Sequence, residues 1–268
     1  SHDVGLVDES ASTFITQWKN TNHTLITIRH LLQMASGLQW EENFKKGFLS
    51  RTTSVELVYH SADMVAYAAS LPLASQPGTE FIYSTGDSQL LSYVIDQIVS
   101  HDMEDDSTGT VQRNYDFMQK SLFHPLNITS ATIECDLSGM FMGGSNALMS
   151  AEDWLRIGQL MLNKGWSNDG TLQILPEAWI DMMISPSEVS GSKYGWQLWT
   201  YDEELMGNYT EIPIDTYMIL GYNHQIMCVI PSRNAVFLRL GFFTGDQKDP
   251  QSFIPYFQAL QDILEVSP

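Results

Sequence analysis

Apolar residues recur three and four positions apart in six segments between residues 27 and 186, and this spacing predicts α-helices with one buried face. The six segments are residues 27–36, 61–73, 86–99, 112–127, 150–165 and 170–186. Ser150 is a favourable helix cap and Gly165 a favourable stop, so the fifth helix has clearly marked ends. Residues 38–60 are mostly polar and are predicted to connect the first two helices.

From residue 194 the period falls to two, which predicts β-strands. The strand segments are residues 194–199, 217–221, 225–230 and 235–240, and residues 253–264 close the chain as an amphipathic helix. Turn-forming residues at 231–234 join the last two strands into an antiparallel hairpin. The pattern predicts an α+β chain, with a mainly helical region over residues 27–186 and a sheet with its closing helix over residues 187–268.

The stretch 77–99 combines a turn, a short extended run and a helix around one tyrosine, Tyr83. The residues that could cap this helix are Ser84, Thr85, Asp87 and Ser88. Tyr83 therefore lies where helix amides and the positive end of the helix dipole could stabilise a phenolate. The alternative is a packed tyrosine whose hydroxyl bonds to a loop carbonyl.

The composition narrows the class of protein. Hydrophobic residues fill 43% of the 268 positions, which is enough for a buried core and argues against disorder. The formal net charge of −19 argues against nucleic acid and anionic membranes as partners. No apolar run reaches the length of a membrane span, and no signal peptide is visible.

The two cysteines, Cys135 and Cys228, fit no metal spacing and could be buried thiols or one disulfide. We expect neither a metal nor a cofactor.

The sequence PGTEFIYSTGDSQLLS, residues 77–92, resembles the second motif of the penicillin-recognising serine hydrolases. These include class C β-lactamases, DD-peptidases, esterases and 6-aminohexanoate-dimer hydrolases. The family motif is Tyr-x-Asn or Tyr-x-Ser, and here Thr85 occupies the third place. The resemblance, which extends through residues 26–40 and 141–186, implies that Tyr83 is catalytic and that Thr85 contacts the substrate. It favours a periplasmic or secreted protein.

The same family carries a Ser-x-x-Lys motif on a buried helix, where the lysine amine activates the serine hydroxyl. The match in this chain, Ser190 to Lys193, lies in a loop after the tyrosine motif, whereas the family places its motif before it. We interpret the match as coincidence. The resemblance implies that the nucleophile lies upstream of Ser1. Residues 1–26 would then be the tail of the nucleophile helix and a connection, and the N-terminal strands of the family would be missing as well.

The third motif of the family lies on an edge strand, and residues 217–225 correspond to it here. The family uses backbone N–H groups of this strand in an oxyanion hole, a role that side-chain changes do not remove. The resemblance therefore implies substrate binding by Ile219, Leu220, Gly221 and Tyr222. His224 could line the same pocket or serve the structure. The stretch has no basic residue at this motif, which argues against binding of a β-lactam carboxylate.

Together, the resemblance implies a β-lactamase/transpeptidase-like fold, in which helices flank an antiparallel sheet beside an all-helical region. The expected activity is acyl transfer on small esters, amides or β-lactam-like substrates, with Tyr83 as proton shuttle. The alternative is a non-catalytic, penicillin-binding-like fragment or degenerate homologue that binds a ligand or partner. If the N-terminal strands are missing, an unpaired sheet edge would invite a second chain or self-association.

Overall fold

The computed structural model describes residues 4–43, 51–101, 109–206, 209–243 and 250–266. The described chain is α+β, as the sequence predicts. Its internal contacts divide it into two compact units. Unit 1 comprises Ser1–His124 and Ala131–Leu148, and unit 2 comprises Pro125–Ser130 and Met149–Pro268. The region boundaries drawn from the sequence stay predictions.

Unit 1 is mainly helical. Its α-helices are α1 (Ile28–Leu32), α2 (Thr53–Val55), α3 (Met64–Ser70), α4 (Thr85–His101) and α5 (Thr110–Met118). π-Helical turns at Glu56–His60 and Gln119–Phe123 continue α2 and α5. The short strands β1 (Thr132–Ile133) and β2 (Ala147–Leu148) pair antiparallel. The N-terminal part of the unit consists of 3₁₀ turns, beginning with Val4–Asp8.

The core of unit 1 lies between α1, α3 and α4. Trp18, from the 3₁₀ turn Thr16–Trp18, is 1% exposed, and its indole N–H donates to the carbonyl of Ala69 over 2.8 Å. The polar connection predicted for residues 38–60 is partly wrong, because Val55 is fully buried and Leu57 is fully buried in this core. Two apolar side chains are enough to fix a helical turn there, although the stretch as a whole is polar.

A buried ion pair joins α4 to α5. The guanidinium of Arg113 donates to Asp96 Oδ1 from Nε at 3.2 Å and from Nη2 at 2.6 Å, and the side chains are 4% and 3% exposed. Asn114 donates to the same oxygen over 2.7 Å. These donors replace the hydrogen bonds to water that the Asp96 carboxylate loses when it is buried.

Unit 2 is a three-stranded sheet between helices. The strands are β3 (Tyr217–Gly221), β4 (Gln225–Ile230) and β5 (Ala235–Arg239), in the order β3-β4-β5, and all pairs are antiparallel. The helices are α6 (Ala151–Leu162), α7 (Glu177–Ile184), α8 (Glu203–Met206) and α9 (Ile254–Val266). The three strands predicted between residues 217 and 240 and the C-terminal helix are confirmed.

The central strand β4 is apolar on both faces because a helix covers each of them. Ile226 and Cys228 pack in the cluster that holds Phe257 of α9. Met227 packs with Met161 of α6, and Gly158 lies so close that a Cβ there would be 2.6 Å from Val236. Because successive side chains of β4 point to opposite faces of the sheet, one alternate set packs against α9 and the other against α6.

The strand predicted for residues 194–199 is wrong. Gln197 has φ of +57°, so the chain reverses and Tyr194 faces Trp199 across a single bridge. Trp199 then exchanges backbone hydrogen bonds with Met218, at 3.0 and 2.7 Å. The alternating pattern reflects buried aromatic residues in a tight turn, and only one of them lies against the edge of β3.

The hexapeptide Pro125–Ser130 is tied to unit 2 by Asp153. This carboxylate accepts hydrogen bonds from the backbone N–H groups of Thr129 and Ser130, at 3.0 and 2.8 Å, and from the Ser130 hydroxyl at 2.6 Å. These donors, with Arg156, hold the pKa of Asp153 at about 2 against the opposing effect of burial.

Among the described residues, no helix is both long enough and apolar enough to cross a membrane.

We predict that Arg113→Met destabilises the protein by roughly 3–5 kcal/mol, because it leaves the Asp96 carboxylate buried without its cation. Urea unfolding gives the free energy of unfolding. The matched control is Lys164→Met, which removes an ion pair with Asp181 whose side chains are 44% and 59% exposed, and which should change stability by less than about 1 kcal/mol. Equal effects of the two variants would contradict the assigned role of Arg113.

Candidate active site

Tyr83 lies at the entry to α4, in unit 1. The preceding turn contains Gly78, whose N–H donates to the carbonyl of Ala35 over 2.8 Å, and Ile82 N–H donates to the carbonyl of Met34 over 2.9 Å. Two backbone bonds thus hold residues 78–82 against the chain that follows α1. The Ser84 hydroxyl accepts from Asp87 N–H at 3.0 Å and so caps the helix, which selects one of the four predicted cap candidates.

The carboxylate of Glu42 also binds the first turn of α4. Its Oε2 accepts from Thr85 N–H at 2.9 Å and from the indole N–H of Trp40 at 2.7 Å. Its Oε1 accepts from the Thr85 hydroxyl at 2.8 Å. Thr85 is 7% exposed, so a hydrogen bond from its hydroxyl to a substrate would require this contact to break.

The Tyr83 phenol is a weak acid in this setting. Its side chain is partly buried, and loss of hydration together with the negative charge of Glu42 raises the pKa of Tyr83 to about 12. Among the described residues, Glu42 is the charged group that acts on this phenol. At neutral pH the hydroxyl is therefore protonated and can donate a proton, whereas formation of a phenolate requires a cation from elsewhere.

A second acidic residue lies beneath the same turn. Asp87 is fully buried, and its Oδ1 accepts from the Ser36 hydroxyl at 2.7 Å. In the described part of the chain, its Oδ2 has no hydrogen-bond partner. Burial raises the pKa of Asp87 to about 7, since few donors compensate the charge. Asp87 was predicted only as a cap candidate, and neither its burial nor the role of Glu42 has a local signal in the sequence.

The glycine-rich stretch 136–149 packs its backbone against α4. A Cβ on Gly143 would be 1.8 Å from Ser92 Oγ, and one on Gly144 would be 2.6 Å from Thr85 Cγ2. Gln89 fixes this loop, because its amide donates to the carbonyl of Phe141 at 2.8 Å and accepts from Gly143 N–H at 3.2 Å. Side chains larger than hydrogen are thus excluded beside Thr85.

The other predicted site residues lie in unit 2. Ile219 and Leu220 are half-buried on β3, Gly221 is exposed at its end, and Tyr222 in the following turn is 60% exposed. In the described part of the chain β3 pairs only with β4, apart from the bridge between Trp199 and Met218. Because alternate residues of a strand direct their N–H groups to opposite sides, Leu220 N–H points to the same outer side as Met218 N–H.

His224 is packed in the interior of unit 2. It is 2% exposed, and its ring stacks between Phe243 and Phe253 at centroid distances of 3.9 and 4.2 Å. Its Nε2 lies 3.1 Å from the hydroxyl oxygen of Ser252. Arg239 donates to the carbonyl of His224 over 2.9 Å and so fixes the turn between β3 and β4. These contacts favour the structural alternative for this residue.

The Ser190 to Lys193 segment is not built as a nucleophile and base. Ser190 Oγ donates to the carbonyl of Ser187 at 2.7 Å and accepts from two backbone N–H groups of the following turn. Lys193 Nζ lies 2.7 Å from Glu204 and 3.3 Å from Asp202, which raise its pKa. The lysine is therefore held as a cation beside carboxylates, in agreement with the interpretation of this match as coincidence.

Neither cysteine forms a disulfide: Cys135 and Cys228 are both free thiols, the latter fully buried. The described residues contain no group of three or more His, Cys, Asp or Glu side chains arranged to hold a metal ion.

Comparison with known proteins identifies relatives of this chain. The family model described as Beta-lactamase matches residues 8–241. No curated protein matches the sequence. Among solved structures, a Bacillus anthracis protein provisionally named a 6-aminohexanoate-dimer hydrolase aligns with a TM-score of 0.73 and 18% identity, over 98% of this chain and 67% of its own.

Two further structures share the fold. The hydrolase EstCE1, which has promiscuous acyltransferase activity, aligns with a TM-score of 0.67 and 15% identity over 95% of this chain and 78% of its own. The octameric penicillin-binding protein homologue from Pyrococcus abyssi aligns with a TM-score of 0.62 and 16% identity over 97% of this chain and 60% of its own. At these identities the likeness establishes the fold alone.

We predict that Asp87→Asn stabilises the protein increasingly as the pH rises from 5 to 8. The pKa of Asp87 is raised to about 7 in the folded state, so folding binds a proton that the unfolded chain has released above about pH 4. The wild type therefore loses stability over this interval, and the neutral amide does not. The difference in free energy of unfolding between the two proteins should grow by roughly 1–3 kcal/mol in urea titrations.

The matched control is Asp169→Asn. Asp169 is exposed, and hydrogen bonds from Ser167 and Thr171 lower its pKa to about 2. This carboxyl is ionised in both folded and unfolded states from pH 5 to 8, so its replacement should add no slope. If the difference in free energy of unfolding between the wild type and Asp87→Asn also did not change with pH, Asp87 would not titrate between pH 5 and 8.

Proposed function

The chain belongs to the β-lactamase family, and from this premise we propose that it is part of a serine hydrolase that transfers acyl groups from small esters or amides. The observation that carries the proposal is the placement of Tyr83 at the capped entry to α4. Hydrogen bonds hold the backbone on both sides of Tyr83, from Ile82 N–H to Met34 and at the Ser84 cap, and the phenol is protonated at neutral pH. Small esters and simple amides are favoured over β-lactams, since the third motif has no basic residue to bind a β-lactam carboxylate.

In this proposal Tyr83 acts as a proton shuttle. A serine hydroxyl attacks the carbonyl of the substrate while a lysine amine receives its proton. The Tyr83 hydroxyl then donates a proton to the leaving group and is reprotonated from the lysine. Water next attacks the acyl-enzyme and releases the acid. A nearby ammonium group would oppose the effect of Glu42 and bring the phenol closer to a useful proton affinity.

The serine and lysine are proposed to lie outside residues 1–268. Apart from Ser190 to Lys193, the sequence contains no Ser-x-x-Lys, and that lysine is ion-paired with Asp202 and Glu204. The proposal therefore assigns the nucleophile and its base to another part of the parent protein or to a second chain. Mass spectrometry after treatment with a fluorophosphonate, which forms a phosphorus–oxygen bond to the reactive serine and releases fluoride, would locate that serine.

Substrate binding is proposed for the outer edge of β3 and the turn that follows it. Ile219, Leu220, Gly221 and Tyr222 form this edge, and the alternation of N–H groups favours Leu220 as the backbone donor to an oxyanion. The exposed Tyr222 ring could cover an apolar acyl group. Backbone donors of this kind suit small uncharged carbonyl substrates.

We predict that Tyr83→Phe lowers kcat of the complete protein about 100- to 10,000-fold on p-nitrophenyl esters, because it removes the proton shuttle. Nitrocefin turnover should be measured beside it. The matched control is Tyr93→Phe, the same change on the same helix, and Tyr93 has no part in the proposed reaction. Full activity of Tyr83→Phe would remove Tyr83 from the mechanism.

A specific observation favours a binding role as a second candidate. In the described residues β5 pairs only with β4, so no strand among them lies along its far edge. An edge of this kind can accept a strand from a second chain or a second copy. The Pyrococcus abyssi homologue is itself octameric.

We therefore expect the 268-residue chain to self-associate through this edge, and a longer protein that covers the edge with a strand of its own to be a monomer. Sedimentation equilibrium at several concentrations measures the mass. If a longer protein were not labelled by a fluorophosphonate but still self-associated, the non-catalytic alternative would be favoured. A concentration-independent monomer of the 268-residue chain would argue against an open edge.

A further inference from the structure

We propose that Glu42 is a positioning residue of the active site, which clamps the first turn of α4 and fixes the Tyr83 hydroxyl as a proton donor. This inference rests on the proposed function, because the clamp matters for chemistry only if Tyr83 takes part in it. It adds a residue that has neither a motif nor a local sequence signal. Glu42 precedes Tyr83 by 41 positions along the chain.

The contacts of Glu42 are specific to a helix N-terminus. The first amides of a helix have no acceptor within the helix, and in α4 these positions are buried, so water cannot replace the missing acceptors. The Ser84 hydroxyl accepts a hydrogen bond from Asp87 N–H, and the Glu42 carboxylate accepts one from Thr85 N–H. A carboxylate is a strong acceptor for such an amide because the hydrogen bond is charge-assisted and the helix dipole adds to it.

The clamp has a second arm that holds Glu42 itself. Trp40 is 9% exposed, donates its indole N–H to the same carboxylate oxygen, and lies so close to Gly86 that a Cβ there would be 2.7 Å from the ring. The carboxylate therefore cannot swing away without exposing the indole N–H or separating the ring from α4. Among the described residues, three donors on its two oxygens hold the carboxylate against the first turn of α4.

The contacts of Glu42 give Thr85 a structural role in the first turn of α4. Its hydroxyl is bound to Glu42, and its methyl group faces Gly144, where a side chain would collide with it. The third position of the motif therefore acts through Glu42 on the Tyr83 turn and does not present a hydrogen-bond donor to a substrate. The negative charge also keeps the proton on the neighbouring phenol.

The sharpest test is Glu42→Gln, which removes the charge and preserves the contacts. The amide oxygen can accept from Thr85 N–H and Trp40, and the amide nitrogen can donate to the Thr85 hydroxyl, which reverses its role. We expect the Tyr83 phenol to titrate at lower pH than in the wild type. Spectrophotometric titration of each variant, minus the same variant with Tyr83→Phe, isolates this phenol.

The matched control is Glu41→Gln. Glu41 is exposed and adjacent, and its side chain contacts Asn43 at 3.4 Å, so its loss changes the net charge equally without touching the clamp. The Tyr83 titration should stay at the wild-type position in this control. An unchanged titration in Glu42→Gln, or an equal shift in Glu41→Gln, would overturn the electrostatic part of the proposal.

The mechanical part is tested by amide hydrogen exchange at Thr85. Glu42→Ala removes the acceptor, and exchange should accelerate about tenfold or more, the factor expected for loss of a hydrogen bond to a charged group. If Glu42→Ala does not fold, Glu42→Gln still decides the proposal through the titration. Exchange at the wild-type rate in folded Glu42→Ala would contradict the clamp.

These measurements need neither substrate nor nucleophile, so they separate the clamp from the proposed hydrolase activity. A shifted titration with a fully active Tyr83→Phe would keep the clamp and reject the mechanism. In an active parent protein, Glu42→Gln should move the alkaline limb of the kcat/KM profile to lower pH, an effect that a purely structural residue would not produce. An alkaline limb at the wild-type position would contradict positioning of the proton donor.

Discussion

The buried start of α4 is the constraint on which unit 1 depends. A helix that begins inside a protein needs acceptors for its first amides, and here they come from Ser84 beside the helix and from Glu42 far along the chain. Residues 85–90 are all buried, so the neighbouring loop must bring backbone close to them. Gly143 and Gly144 permit that approach, and Gln89 fastens the loop.

The same constraint explains why the tyrosine is both ordered and hard to ionise. The groups that cap α4 fix the backbone on either side of Tyr83, and the burial that makes caps necessary also removes water from the phenol. The same lack of water raises the pKa of Asp87 beneath the turn to about 7. Burial and the negative charge of Glu42 thus hold the proton on the phenol, and a cation brought beside the phenol would lower its pKa.

Much of this fold follows from local pattern. Helices α4 and α6 and strands β3 to β5 were predicted because their apolar periods are long and uniform. The strand prediction for residues 194–199 is wrong because the alternation there comes from aromatic packing, and the left-handed backbone of Gln197 has no signal in the pattern. Glu42 was out of reach for another reason: its partner is more than forty residues away, and one glutamate in a polar stretch resembles any other.

The path of the chain through the two units has a consequence for synthesis. Unit 1 is complete in sequence only at Leu148, yet the hexapeptide Pro125–Ser130 inside that span belongs with unit 2. Its anchor, Asp153, emerges from the ribosome after the whole of unit 1. The loop therefore leaves the ribosome more than twenty residues before its acceptor, and cutting the gene between residues 148 and 149 would leave that loop permanently without its anchor.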